Sequence, residues 1–189
     1  MSYCKAIDGM AEPRKNLHKT YHDLYYGFPI KDDNELFGRL ILEINQAGLS
    51  WETILKKQDS FRKAYSGFDI RKVAKYGDKD FMRLMENPGI IRNRLKISAA
   101  IENAKAILRL QKESESFQKW LELKHPLSKE EWVKLFKKTF RFTGGEIVGE
   151  FLMSIGYLPG AHSEDCKIYK KILKKKPMWM NAGKVKTDK

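Results

Sequence analysis

Residues 42–51 read Leu-Glu-Ile-Asn-Gln-Ala-Gly-Leu-Ser-Trp, and this stretch decides the fold. It closes an apolar run in which Leu36 and Leu40 recur at the spacing of a helix. Glu43 falls on the same side of that helix, so its carboxyl is predicted to point into the protein. A carboxylate placed there needs a partner, a shifted pKa or a ligand that uses it.

The end of the same stretch predicts a helix boundary. Gly48 suits a left-handed helix stop, and Ser50 suits the N-cap of a helix that begins at Trp51. A structural explanation is equally available at this point, because a backbone amide or a basic side chain can satisfy a buried glutamate. Trp51 would then be core filler.

Helical periodicity continues through most of the chain, and few segments alternate as strands do. We predict an all-α bundle with helices over residues 17–24, 34–47, 51–58, 59–65, 70–76, 78–86, 90–112, 116–123, 129–139 and 146–155. Residues 1–166 form the predicted domain. Residues 167–189 carry nine lysines against Asp188 alone, which predicts a mobile basic tail.

The composition favours a polyanion as the partner. The 189 residues carry a formal net charge of +13, with a pI near 9.6. No apolar run approaches the roughly 20 residues of a membrane span, and the first residues lack a secretory leader. Two distant cysteines do not make a disulfide framework. We therefore expect a monomer in the cytoplasm.

Residues 137–148 predict two helices joined by a tight turn at Gly144 and Gly145. Such a turn exposes backbone amides and a helix N-terminus, where a phosphate can bind, and Arg141 adds charge beside it. An ordinary helix connection has the same pattern, so this signal is weak alone.

Four side chains have the types that bind zinc: Cys4, His22, His162 and Cys166. The last two are spaced so that both reach one tetrahedral ion. Reduced cysteines and unrelated histidines are the simpler explanation from spacing alone, and His18 is close enough to replace His22.

Taken together, residues 42–51, Tyr21-His22-Asp23 and Gly27 resemble the DNA-3-methyladenine glycosylase I family. The resemblance extends from Cys4 to Cys166. It implies a fold of the helix-hairpin-helix glycosylase type, in which zinc bound by the four cysteine and histidine side chains joins the two ends of the domain. It also implies base-excision repair of double-stranded DNA in bacteria.

The implied reaction is the flipping-out and hydrolytic removal of N3-methyladenine, with N3-methylguanine as a second candidate. The resemblance places four residues around the base and assigns the catalytic role to the carboxylate among them: Tyr21, Tyr26, Glu43 and Trp51. It places Gln46 and Leu49 in the gap left in the duplex. It also places Gly48 and the hairpin residues Arg141, Gly144 and Gly145 against the DNA. No lysine matches a Schiff-base nucleophile.

One departure from the family concerns Leu24-Tyr25-Tyr26, where the family has an acidic residue followed by tryptophan. Two alternatives therefore stay open. One is a glycosylase retuned to another alkylated base, and the other is a catalytically silent DNA-binding module with the same hairpin and charge.

Overall fold

The computed structural model describes residues 2–181, and within them the chain forms helices without a strand. Two short 3-10 helices lie at Ser66–Phe68 and Met178–Asn181. The α-helices in this part of the chain are α1 (Tyr3–Asp8), α2 (Arg14–Leu24), α3 (Asp33–Gln46), α4 (Trp51–Ala64), α5 (Ile70–Val73), α6 (Asp78–Glu86), α7 (Arg94–Ser114), α8 (Phe117–Lys124), α9 (Lys129–Thr139), α10 (Gly145–Ser154) and α11 (Tyr169–Lys174). The all-α prediction is confirmed.

Helix α3 runs through the middle of the core and packs against α4, α7, α8 and α10. Asp32 caps its first turn by accepting from the Glu35 amide at 2.9 Å. Gly38 lets Phe68 reach the helix backbone, because a Cβ at that position would lie 2.4 Å from the Phe68 ring. Residues 36–45 of α3 are all buried, so the surrounding helices fix the direction of their side chains.

Aromatic rings hold α8, α9 and α10 together beside α3. Phe136 lies 5.1 Å from Phe140 and 5.8 Å from Phe151, and Phe117 contacts the same two rings at 5.6 and 6.4 Å. Tilted, edge-on and stacked ring pairs of this kind stabilise a core beyond the area they bury. They fix the turn between α9 and α10 relative to the end of α3.

Two boundary predictions were wrong. The helices predicted over 51–58 and 59–65 are one helix, α4, because Asp59 lies within it and neither glycine nor proline interrupts the turn. Helix α7 begins at Arg94 rather than at Ile90, because the Asn93 side chain accepts from the Lys96 amide and caps it there.

The predicted mobile tail also needs correction over residues 167–181. The segment folds back on the body through buried Ile168 and Ile172, and the Trp179 amide donates to the Gly156 carbonyl at 3.3 Å. Burial of these apolar side chains holds the segment on the body although lysines surround them. Residues 182–189 of the predicted tail lie outside the described residues.

None of the helices in the described part of the chain is both long and apolar enough to cross a membrane.

Candidate active site

The end of α3 opens into a cleft of about 810 Å³, which is large enough to hold a purine base. Glu43 lines this cleft and is only 4% exposed, so the prediction that it points inward is confirmed. Within residues 2–181, no hydrogen bond or ion pair engages its carboxyl. A buried carboxyl without a protein partner is available to a ligand.

Aromatic rings form one wall of the cleft. Tyr21 lies 5.0 Å from Trp51 and 5.6 Å from Tyr26, measured between ring centroids. The structure therefore brings together all four residues predicted around a base. A fourth ring, Tyr3, stands edge-on to Tyr26 at 5.6 Å, and sequence reasoning missed it because α1 was not predicted.

The electrostatics of the cleft favour a protonated Glu43 when no ligand is bound. Burial raises the pKa of the Glu43 carboxyl to about 8, the guanidinium of Arg39 opposes this shift, and the charge of Glu150 adds to it. Arg39 lies beneath the wall, where it donates to the Tyr21 hydroxyl at 3.1 Å and stacks over the Tyr21 ring at 5.1 Å. A cation in the cleft would reverse this balance.

The turn after α3 forms a rim of the cleft, and its geometry matches the sequence prediction. Gly48 has a φ of +79°, and Ser50 caps α4 by accepting from the Thr53 amide at 3.2 Å. The Gln46 side chain donates to the Leu49 carbonyl at 3.1 Å and closes the turn. Leu49, at the tip of the turn, is 39% exposed. The turn thus projects an apolar side chain outward.

A buried lysine holds this turn from below, a role that sequence reasoning missed. Lys96 follows Arg92 and Arg94 in a basic stretch of the sequence, but it is only 5% exposed. Its ammonium donates to the carbonyls of Asn45 at 2.9 Å and Ala47 at 2.6 Å, where the dipole of α3 ends in partial negative charge.

Lys96→Met should therefore leave both carbonyls without a donor while preserving the apolar stem. We expect a loss of about 1–3 kcal/mol of unfolding free energy, the cost of unsatisfied buried polar groups. Urea denaturation measures it, with Lys112→Met, exposed on the same helix, as the matched control. Equal stability of the two variants would contradict this role for Lys96.

The predicted hairpin consists of α9, a turn over residues 140–144, and α10. Buried Asn103 anchors the turn: its side chain accepts from the Arg141 amide at 2.7 Å and donates to the Arg141 carbonyl at 3.1 Å. A Cβ at Gly144 would meet nothing within 4 Å, and one at Gly145 only Val133 at 3.9 Å. The start of α10 is therefore open to a ligand, and Arg141 is exposed beside it.

The four predicted metal ligands come together at the other side of Tyr26. The ligand atoms of Cys4, His22, His162 and Cys166 all lie within 4.8 Å of one another. The Nδ1 atom of His162 is 3.6 Å from the Cys4 sulfur and 3.5 Å from the Cys166 sulfur. Tetrahedral zinc bonds of about 2.3 Å to sulfur and about 2.0 Å to nitrogen require a separation of about 3.5 Å.

Hydrogen bonds already orient both histidines for such a role. His22 Nδ1 lies 2.7 Å from Asp23, which leaves Nε2 facing the cluster, and His162 Nε2 lies 2.9 Å from the Tyr26 carbonyl, which leaves Nδ1 facing it. Partners of this kind fix the tautomer of a metal-binding imidazole. Asp165 lies between His162 and Cys166 in the sequence but is exposed, and the carboxylate that contacts a histidine of the cluster is Asp23.

His18 does not belong to the cluster. Its Nδ1 pairs with the Tyr3 hydroxyl at 2.8 Å, so it does not replace His22.

Another depression, of about 850 Å³, lies between α4 and α6. Exposed side chains such as Lys63, Lys79 and Met82 line it, and its rim has no buried carboxyl like Glu43. The chemistry therefore favours the cleft at the end of α3.

Comparison with known proteins agrees with this geometry. A family model described as methyladenine glycosylase matches residues 11–132. The chain belongs to this family. Another member, a DNA-3-methyladenine glycosylase of Haemophilus influenzae, is 35% identical over 171 residues, which cover 80% of this chain and 92% of the relative. DNA-3-methyladenine glycosylase 1 of Escherichia coli is 45% identical over 101 residues, or 53% of this chain and 54% of the relative.

Solved structures of methyladenine glycosylases share the fold. The 3-methyladenine DNA glycosylase I of Staphylococcus aureus, solved to explain 3-methyladenine recognition, superposes with a TM-score of 0.76 at 30% identity, covering 89% of this chain and 97% of that one. A variant of 3-methyladenine DNA glycosylase I in complex with 3-methyladenine gives the same TM-score, identity and coverage.

Proposed function

We propose that this chain is a monofunctional DNA-3-methyladenine glycosylase, with N3-methylguanine as a second substrate. The observation that carries the proposal is the buried Glu43 carboxyl, which faces an aromatic-walled cleft and has no partner in the described part of the chain. An enzyme that acts on a base inside a duplex must first rotate the nucleotide out of the stack. The cleft supplies the receiving pocket.

Glu43 suits an N3-alkylated adenine in two ways. Its carboxylate accepts a hydrogen bond from the exocyclic amine, and it attracts the positive charge that N3-methylation places on the purine. A neutral adenine offers only the first interaction. Tyr21, Tyr26 and Trp51 supply faces for stacking.

The reaction requires little of the protein beyond exposing the alkylated base and distinguishing it from neutral bases. The alkylated base already carries positive charge, so it leaves with the electron pair of the glycosidic bond as neutral 3-methyladenine. Water adds to C1′ of the sugar and loses a proton. Glu43 acts by holding the cationic base as the bond breaks, so no strong general acid is required.

The remaining surfaces support binding of the duplex. Leu49 at the exposed turn and the Gln46 amide beside it would fill the gap left by the flipped nucleotide. The open amides of Gly144 and Gly145 would approach a phosphate, with Arg141 adding charge. Both surfaces border the cleft, because Gln46, Gly48 and the start of α10 line it.

Zinc bound by Cys4, His22, His162 and Cys166 is the proposed cofactor. The atom separations and the two oriented histidines fit tetrahedral zinc. Two thiolates would neutralise its charge, and the four ligands together would leave no open position. The ion would stabilise structure, tying α1 to the segment after α10. The relatives named above with their organisms are bacterial, and we propose double-stranded DNA in the bacterial cytoplasm as the substrate. A monomeric state stays a prediction.

Incubation with a panel of alkylated duplexes tests the function. We expect release of free 3-methyladenine, detected chromatographically, with much slower release of neutral bases. Binding of the duplexes without release of any base would identify a silent DNA-binding module instead. Preferential release of a different alkylated base would indicate a retuned glycosylase.

A further inference from the structure

Besides Glu43, the cleft contains the carboxyl of Glu150, for which the sequence offered no motif; Glu146 also lines the cleft, but its side chain is exposed. Glu150 projects from α10 and lines the cleft together with Glu43. Its Oε2 atom accepts a hydrogen bond from the Tyr26 hydroxyl at 3.2 Å. Within residues 2–181 this is its one hydrogen bond, and no ion pair engages it, so the other oxygen is free for a ligand.

Tyr26 holds this carboxyl on a rigid wall. Its ring is packed edge-on against Tyr3 at 5.6 Å and lies 5.7 Å from the His162 ring, and its carbonyl accepts from His162. A tyrosine fixed at both its ring and its backbone offers its hydroxyl from one direction. Glu150 is therefore oriented before any ligand arrives, as an effective recognition group must be.

The geometry points to Glu150 as a specificity-determining residue of the base cleft, where its carboxylate, oriented by the Tyr26 hydroxyl, favours cationic alkylated purines over neutral bases. This inference rests on the proposed function and adds a second carboxylate to the recognition of the base. Tyr26 is a positioning residue for Glu150 in addition to its stacking role.

Electrostatics gives the reason for charge selection. Burial raises the pKa of the Glu150 carboxyl, and the charge of Glu146 adds to this shift. The charge of Glu150 in turn raises the pKa of Glu43, so a second negative charge in the empty cleft meets repulsion from the first. Lys129 lowers the pKa of Glu150 and Arg39 lowers that of Glu43, but each acts on one carboxyl. A cationic base relieves the repulsion, whereas a neutral base does not.

A pair of small ligands isolates this effect from DNA binding. The permanently cationic 3,9-dimethyladeninium and neutral 9-methyladenine differ in the charge and one methyl group, and quenching of tryptophan fluorescence reports the binding of each. For Glu150→Gln we expect affinity for the cation to fall about tenfold, as for the loss of one partly solvated ion pair. Affinity for 9-methyladenine should stay within about twofold.

Three further variants separate charge from packing. Glu150→Asp keeps the charge and should retain part of the preference for the cation. Glu130→Gln removes the same charge from an exposed position on α9 and should leave both affinities unchanged. Tyr26→Phe keeps the ring and removes the hydroxyl that orients Glu150, so it should weaken the preference for the cation. In a protein that already carries Glu150→Gln it should cause little further loss, as expected for two residues that act as one unit.

Every outcome decides the inference. A cation preference that falls in Glu150→Gln and partly returns in Glu150→Asp supports it. Equal losses for both ligands would assign Glu150 to shape alone and overturn it, as would unchanged affinities. Failure of the wild-type protein to release 3-methyladenine from DNA would instead reject the proposed function, because that assay does not depend on the comparison of variants.

Discussion

Glu43→Gln should lower the second-order rate of 3-methyladenine excision by at least about a hundredfold. The substitution keeps an acceptor for the exocyclic amine and removes only the charge. An ion pair separated by roughly 4 Å contributes about 4 kcal/mol at an effective dielectric constant near 20, and a hundredfold loss corresponds to about 2.7 kcal/mol. The measurement is kcat/KM on methylated duplex DNA.

The pH profile of the same reaction provides an independent check. Because the pKa of Glu43 in the empty cleft is about 8, the carboxyl is mostly protonated at neutral pH. The positive charge of the N3-methylated nucleotide comes from the methyl group and needs no bound proton, so kcat/KM should rise through pH 8 as Glu43 ionises, and it should be flat for Glu43→Gln. A wild-type rate in Glu43→Gln would remove Glu43 from the reaction.

The ionised Glu43 carboxyl should also lower the free energy of unfolding. A residue with a structural role would raise it instead, so this measurement separates the two roles. The folded-state pKa of about 8 lies above the unfolded value, so the native state binds more protons between these two values. The free energy of unfolding should therefore fall as the pH rises from the unfolded-state pKa of Glu43 toward 8. Glu43→Gln should therefore be more stable than the wild type above pH 8, measured by thermal unfolding.

Local signals in the sequence were enough to predict α3 and its end. The period of its apolar residues placed Glu43 in the core, and the conformations of Gly48 and Ser50 followed from their own backbone and capping preferences. These features depend on neighbours within one or two turns. The capping box at Ser128 and Glu131 is equally local, because each side chain accepts from an amide within the same turn.

Residues whose roles depend on distant partners could not be predicted in this way. Glu150 meets Tyr26 across 124 positions, and Lys96 reaches the end of α3 across about 50. On its own helix, Glu150 has the spacing of an ordinary half-exposed acid. Lys96 lies among arginines that remain at the surface, so composition could not distinguish it from them.

The metal ligands are an intermediate case. Cysteine and histidine spacing left the site undecided, and the resemblance to a family identified the four residues that the structure then brought together. Asp165 is close in sequence to His162 and Cys166, yet the structure leaves it exposed. The supporting carboxylate is Asp23, adjacent to His22, since orientation of the imidazole depends on the angle of approach rather than on sequence distance.

Cys166→Ser should abolish stoichiometric zinc binding and free α1 from the body of the protein. Serine preserves the shape of the side chain but does not supply a thiolate, and three remaining ligands leave the tetrahedral site open. Loss of a ligand that binds only the folded state removes about 4 kcal/mol of stability when its free concentration is a thousandfold above Kd. Elemental analysis and thermal unfolding measure the two effects.

The consequence should extend to the base cleft, because Tyr3 stands on its wall one residue before Cys4. Once α1 is free, Tyr3 no longer packs on Tyr26, and affinity for free 3-methyladenine should fall together with zinc content. His18→Gln is the matched control, since His18 contacts Tyr3 but lies outside the cluster; it should retain the metal, whereas His22→Gln should lose it. If wild-type protein purified without chelators contains no zinc, the metal site is rejected. If Cys166→Ser loses zinc but keeps its affinity for the base, the ion only ties the chain ends together and does not support the cleft.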